Sequence, residues 1–281
     1  KYLTVNNWRP VVITGPARPD VFPQDKTLLR DVDSRDIKTI RCGARGLEAR
    51  GWSSAVAGRV YEAVFRRYRP WSWASAAYFC GLEAARTFGC SAILSTSYPV
   101  VTHDVARRVA GRLNLPWVAD IRDPLVGDRA WYWRSAKEKR RLRRIEKAVV
   151  RAADVIINVH ELISEDLAGR HPSVPKSRFV TIMNGYDPED ISGAAAPRSG
   201  DDFVLSHIGT LYPEMEVAVF RSAVESACAS DKELGKRLKV RFYGGISEPM
   251  RVALGGGEST AISVEGYIDH ADVNSAIARS D

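Results

Sequence analysis

Cysteine is scarce in this chain: four in 281 residues, Cys42, Cys80, Cys90 and Cys228, with no C-x-x-C pair. That spacing argues against a zinc site or a disulfide framework and for free thiols in a reducing, cytoplasmic setting. Long apolar runs are missing too. The nearest approach to the roughly 20 residues of a membrane span, over 73–94, is interrupted by Glu83 and Arg86. No signal peptide is visible, and no short internal repeat. Neither G-x-G-x-x-G nor a Walker A loop occurs, so no dinucleotide cofactor or ATPase site is licensed. The chain opens on Lys1 in a helix-like end and closes at Asp281 in mid-element, which reads as a piece of a longer protein.

What is present suits a globular protein. At 45% hydrophobic and 27% charged, the chain can fill one large core or two medium ones. The formal charge of +7, from 41 basic and 34 acidic side chains, favours anionic partners such as nucleotides or a phospholipid surface. Nucleic acid is not expected, because no recognition motif accompanies the charge.

Short apolar runs alternate with helical periodicity. Strands are predicted over 10–14, 37–41, 91–96, 117–120, 154–159 and 179–183, and again over 203–208, 238–243 and 262–265. Val56, Val60, Val64, Phe65 and Tyr68 share one helical face, and Arg69-Pro70 is read as the break that ends it. Trp71 and Trp73 then serve as a packing anchor or an exposed lip, before a helix that Gly89 stops. The run KEKRRLRRIEK, 137–147, is the densest charge; Leu142, Ile145, Val149 and Ala152 give its helix an apolar seam. Its arginines suit either a solvated face or adhesion to an anionic membrane. Residues 188–202, rich in Gly, Ala, Ser and Pro, read as a linker. Strand–helix alternation on both sides of it means two parallel-sheet α/β domains: 1–188, a linker at 189–202, and 203–281.

Candidate chemistry sits at strand ends. PWVADIRDP, 116–124, passes from a buried strand into Asp120, Arg122 and Asp123, where a parallel sheet binds ligands; a helix cap with an ion pair is the plainer use. Ser95, Thr96 and Ser97 end the preceding strand and can meet an anion or cap the next helix. His103, in the first turns of that helix, is expected in solvent. In the second domain Gly209 and the Gly244-Gly245 pair follow strands, where a bare backbone can approach a phosphate closely.

Taken in order, ILSTSYP, PWVADIRDP, IEKAVVRAADVIINVHELISEDL, NGYD and SHIGTLYP resemble glycosyltransferases of the GT-B fold, family 4 in particular, across nearly the whole chain. The resemblance implies two Rossmann-like domains, an acceptor side followed by a donor side. It implies transfer of a sugar from a nucleotide-diphospho-sugar to a sugar or lipid-linked acceptor, commonly with retained configuration, in cell-surface polysaccharide or glycolipid synthesis. No metal or cofactor is implied beyond the nucleotide-sugar substrate. Asp120 and Arg122 become the catalytic candidates; Ser95, Thr96, Ser97 and Asp123 line the acceptor side; Gly209, Thr210, Tyr212, Gly244 and Gly245 meet the donor. Backbone N–H groups of Gly209 and Thr210 are expected to face the diphosphate.

The chain departs from the family pattern in three places. Its first strand with a glycine-rich loop and the later acidic E-x7-E element are both missing, so the piece alone is expected to be inactive. The loop after Tyr212 carries Glu214, Met215 and Glu216 where a phosphate-pairing cation is usual, a contact worth ~1.5–3 kcal/mol. The competing readings are a nucleotide-sugar 2-epimerase and a non-catalytic sugar-nucleotide-binding protein.

Overall fold

The computed structural model describes residues 2–15, 25, 27, 37–42, 70–127, 134–191, 200–211, 216–255 and 261–281, without the side chains of 70–72, 190 and 191. The expected helix over 56–68, most of the linker, and Tyr212 to Met215 lie outside these residues. The chain divides into two compact units. One ends at Gly185; the other starts at Tyr186 and takes in Asp25 and Thr27 from the early chain.

The first unit opens with a helical turn, α1 (Tyr2–Val5), and a parallel pair, β1 (Val11–Thr14) beside β2 (Lys38–Arg41). Helix α2 (Pro70–Thr87) follows, then β3 (Ile93–Thr96), α3 (Val101–Leu113), β4 (Trp117–Ile121), α4 (Ala136–Ala152), β5 (Val155–Asn158), α5 (Glu161–Arg170) and β6 (Phe179–Thr181). Strands β3 to β6 form a parallel sheet in chain order. Each predicted strand here is present, because β-branched runs between helices have nowhere to bury both faces except a parallel sheet. Trp117, Ala119, Ile121 and Ile156 join Leu142, Val149 and Val150 in one core, and Ala74, Ala77, Val101, Val105 and Val109 fill a second against Ile13.

Pro70 does not separate Trp71–Trp73 from a helix: it opens α2, and the tryptophans lie in its first turn. A proline at the first helical position has no N–H to waste. Trp73 packs against the core of α2 and α3. Asn7 and Gly89 take positive φ, 62° and 59°, where the chain turns out of helices.

Helix α4 starts on a capping box in which Ser135 Oγ accepts from Glu138 N–H and Glu138 Oε2 accepts from Ser135 N–H. The Ser135 hydroxyl, donating to Glu138 Oε2 at 2.7 Å, and then the Ser135 N–H hold the Glu138 carboxyl below its ordinary range. The buried seam differs from the predicted one. Leu142, Glu146, Val149 and Val150 are buried while Ala152 is exposed. Glu146 can be buried because Arg170 reaches it through both Nε (3.1 Å) and Nη2 (3.0 Å), and His171 Nε2 lies at 3.1 Å. Burial alone would lower the Arg170 guanidinium; the Glu146 carboxylate and then Asp166 more than offset it. The outer face of α4 exposes Arg140, Arg143, Arg144, Lys147 and Arg151. Among the described residues no helix is long and apolar enough to cross a membrane.

Two cysteines far apart in sequence meet. The buried Cys42 thiol, just after β2, hydrogen-bonds the Cys80 thiol of α2; burial first, and Cys80 second, push Cys42 up to about 12. A buried thiol held that high is not a nucleophile at neutral pH, so Cys42 reads as structural.

The second unit begins with one helical turn, α6 (Pro188–Ile191), inside the stretch expected to be linker. Asp187 Oδ1, just before that stretch, accepts from Glu189 N–H and caps the turn. Then come β7 (Phe203–Ile208), α7 (Val217–Ser230), α8 (Lys232–Arg237), β8 (Leu238–Tyr243), α9 (Glu248–Ala253), β9 (Ile262–Gly266) and α10 (His270–Ala278). The parallel sheet runs β7-β8-β9. Its core holds Val217, Val224, Leu238, Val240, Phe242, Met250, Leu254 and Ile262. Asp25 reaches this unit: its Oδ2 accepts from His270 N–H at 2.7 Å, and its Oδ1 accepts from Thr27.

Candidate functional site

Each unit ends its sheet in a cluster of the predicted residues, and the two clusters are built differently. In the first, parallel register sets Thr96 beside Asp120. Thr96 Oγ1 donates to Asp120 Oδ2 at 2.9 Å, and Ser97 N–H donates to the Asp120 carbonyl at 3.1 Å. The hydroxyls of Ser95 and Ser97 are buried, whereas Thr96 is exposed. None of the three caps α3, whose N-cap Val100 accepts no side-chain bond.

Arg122 hydrogen-bonds Asn184 Oδ1, not Asp120. The plain ion-pair reading therefore does not hold, and neither does orientation of Asp120 by Arg122. The bond ties the end of β4 to the turn after β6, bringing PWVADIRDP and NGYD together. Asp123 is exposed and, among the described residues, makes no hydrogen bond or ion pair. Its carboxylate is open to solvent.

Beneath this edge lies a chain of polar contacts that one sequence could not show. Trp117 Nε1 donates to Ser95 Oγ at 2.8 Å, and Ser95 Oγ lies 2.9 Å from His103 Nδ1. His103 is fully buried, not solvent-exposed as its place in a helix turn suggested, and burial pushes its pKa down to about 4. Among the described residues its Nε2 has no hydrogen-bond partner. Its partner Ser95 and, through it, Trp117 sit on strands β3 and β4 beneath α3, and a lone histidine in sequence gives no sign of that pairing. Asn158 is a second omission: it is buried at the end of β5, donates to Ser164 Oγ at 3.1 Å, and its Oδ1 has no partner among the described residues. A polar residue closing an otherwise apolar strand was the available signal.

The edge of the second unit is made of backbone. Gly209 N–H donates to the Tyr243 carbonyl (2.8 Å), Gly244 N–H to Gly266 (2.7 Å), and Leu211 N–H to Gly245 (3.2 Å). Gly244 has φ +130°, and a Cβ there would sit 2.0 Å from the Gly209 carbonyl oxygen. Only glycine fits. These bonds clip the loops after β7, β8 and β9 together. They also correct one expectation: the Gly209 N–H is spent inside the sheet and cannot face a phosphate. The N–H groups of Thr210 and Gly245 have no acceptor among the described residues, and the Thr210 side chain is exposed. A Cβ on Gly245 would lie 3.7 Å from Thr210 Oγ1, so the two donors are neighbours. Among the described residues no group of three His, Cys, Asp or Glu side chains is placed to hold a metal.

No family model matches the chain, and no curated protein sequence matches it. Solved structures do. HepE from Anabaena, in complex with UDP and glucose, superposes with a TM-score of 0.58 at 13% identity, over 97% of this chain and 72% of HepE. An alpha,alpha-trehalose-phosphate synthase (UDP-forming) from Burkholderia vietnamiensis gives 0.56 at 12% identity, over 97% of this chain and 77% of the synthase. A Listeria monocytogenes protein assigned as a UDP-N-acetylglucosamine 2-epimerase gives 0.50 at 10%, over 96% and 72%. At such identities the likeness establishes the fold: two Rossmann-like parallel-sheet units of the GT-B kind.

Proposed function

We propose that this protein is a glycosyltransferase that moves a sugar from a nucleotide-diphospho-sugar, with UDP as the nucleotide, to a sugar or lipid-linked acceptor. The observation that carries the reading is the glycine clip of the second unit, which leaves the adjacent Thr210 and Gly245 N–H groups without acceptors. Structures of the same fold hold UDP, UDP with glucose, or UDP-glucose. A departing diphosphate needs preorganised donors that cost no reorganisation as charge develops. Thr210 and Gly245 supply them in place of the Gly209 N–H. No described cation stands in this loop, so the phosphate contact rests on neutral amides and is weaker for it.

On the other unit, Asp120 is held by Thr96 and Arg122 by Asn184. In the transfer reading, Asp120 orients or deprotonates an acceptor hydroxyl, and the unattached Asp123 carboxylate contacts the acceptor sugar. The exposed arginines of α4 suit an acceptor carried in an anionic membrane on its cytoplasmic side. The test is sugar transfer by the full-length protein with Asp120→Asn and Thr210→Pro, the second removing one donor N–H. Loss of transfer in both, with UDP binding weakened only by Thr210→Pro, supports the assignment. Near wild-type turnover in both removes these residues from the mechanism.

The 2-epimerase reading keeps one observation in its favour, the likeness to the Listeria protein. Product analysis separates the two: UDP release that depends on an added acceptor means transfer, whereas an isomerised UDP-sugar formed without an acceptor means epimerisation. A chain that binds UDP and does neither is a binding protein.

A further inference from the structure

Strand alternation sends Val240 and Phe242 of β8, with Ile262 of β9, into the core under α7 and α9. The opposite face therefore receives Lys239, Arg241 and Tyr243 from β8, and Ser263 and Glu265 from β9. Together with Arg279, just past the end of α10, these residues frame a concavity of about 520 Å³. Ser280 Oγ donates to Ser206 Oγ of β7 at 2.7 Å, which pins the end of α10 over this face and fixes the wall that Arg279 belongs to.

The charge of the concavity is unbalanced. Among the described residues that line it, Glu265 is the one carboxylate, and that accepts from Ser263 Oγ at 2.6 Å. Among the described residues Lys239, Arg241 and Arg279 make no ion pair or side-chain hydrogen bond. Protection of a sheet edge does not account for them, since β8 is the middle strand, paired on both sides. Two cations at alternate positions of one strand stand about 7 Å apart and repel. A bound anion reverses that cost, and the arginine fork suits phosphate oxygens.

We propose that this face of the second unit is a binding site for a compact phosphoryl-bearing anion, distinct from the Thr210–Gly245 edge. Its volume is that of a small-molecule site. The three cations gather in a cup and not along a stripe, which fits a phosphate or diphosphate group and not an extended acidic peptide. Tyr243 offers a ring and a hydroxyl to whatever the phosphate is attached to.

The experiment is calorimetric titration of inorganic pyrophosphate into this chain, at low and at physiological salt, with Arg241→Gln, Arg279→Gln and the double variant checked for fold by circular dichroism. Expected are saturable binding to the unsubstituted chain, a loss of about tenfold for each substitution, no measurable binding by the double variant, and weakening with salt. UDP titration of the same variants should be unchanged, so failure of the nucleotide-sugar reading leaves this site standing and the reverse. Absence of saturable binding, or pyrophosphate affinity indifferent to the double substitution, overturns the proposal. Tighter binding of poly-glutamate than of pyrophosphate overturns it in favour of an acidic protein partner.

Discussion

The two sheet ends of this protein solve one problem with different materials. In the first unit side chains do the positioning: Thr96 holds Asp120, Asn184 holds Arg122, and Trp117, Ser95 and His103 brace them from below. In the second, glycine backbone does it, with three loops bonded carbonyl to amide and no room for a Cβ at Gly244. A side-chain edge can change its specificity one residue at a time. A backbone edge presents the same amides whatever surrounds it, as a ligand part common to many substrates requires.

Three substitutions would break or sharpen that contrast. The largest effect is expected from Gly244→Ala, which places a methyl inside the Gly209 carbonyl in a backbone region hostile to side chains. Overpacking and strain together should cost about 4 kcal/mol, read by denaturant unfolding; a change below about 1 kcal/mol would mean the clip is not rigid. Next comes the pH dependence set by His103. Its folded pKa, about 4, lies below its ordinary 6.5, so the neutral form is favoured in the fold. The stability it contributes is complete above pH 6.5 and is lost as pH falls toward 4, about 3 kcal/mol in all. His103→Gln should flatten the difference between unfolding free energies measured across that window, and an unchanged slope would place His103 in solvent. The smallest effect belongs to Ser95→Ala, which strands the Trp117 indole N–H and the His103 ring nitrogen. About 2 kcal/mol is expected, with UDP affinity unmoved because the proposed nucleotide edge is built elsewhere.

Strand positions were legible throughout, since runs such as VVIT, VIIN and FVLSHI have the β-branched, apolar character of a parallel sheet. Strand ends were legible too, because glycine, hydroxyls and charge follow those runs directly. What escaped depended on distant partners. Glu146 looked like one more charge on a basic helix until Arg170, from the following helix, neutralised it. The spending of the Gly209 amide follows from the register of β7 on β8, which no local pattern encodes. Cys42 and Cys80 meet only because β2 ends against α2.

The bond from His270 to Asp25 has a consequence for how such a protein can be taken apart. The second unit is not one continuous stretch of gene, since the residue that caps its last described helix is encoded some 245 positions upstream. Cutting at Tyr186 and grafting the remainder onto a foreign first unit would leave that helix start bare. Recombination between relatives would have to exchange both segments together to keep that bond.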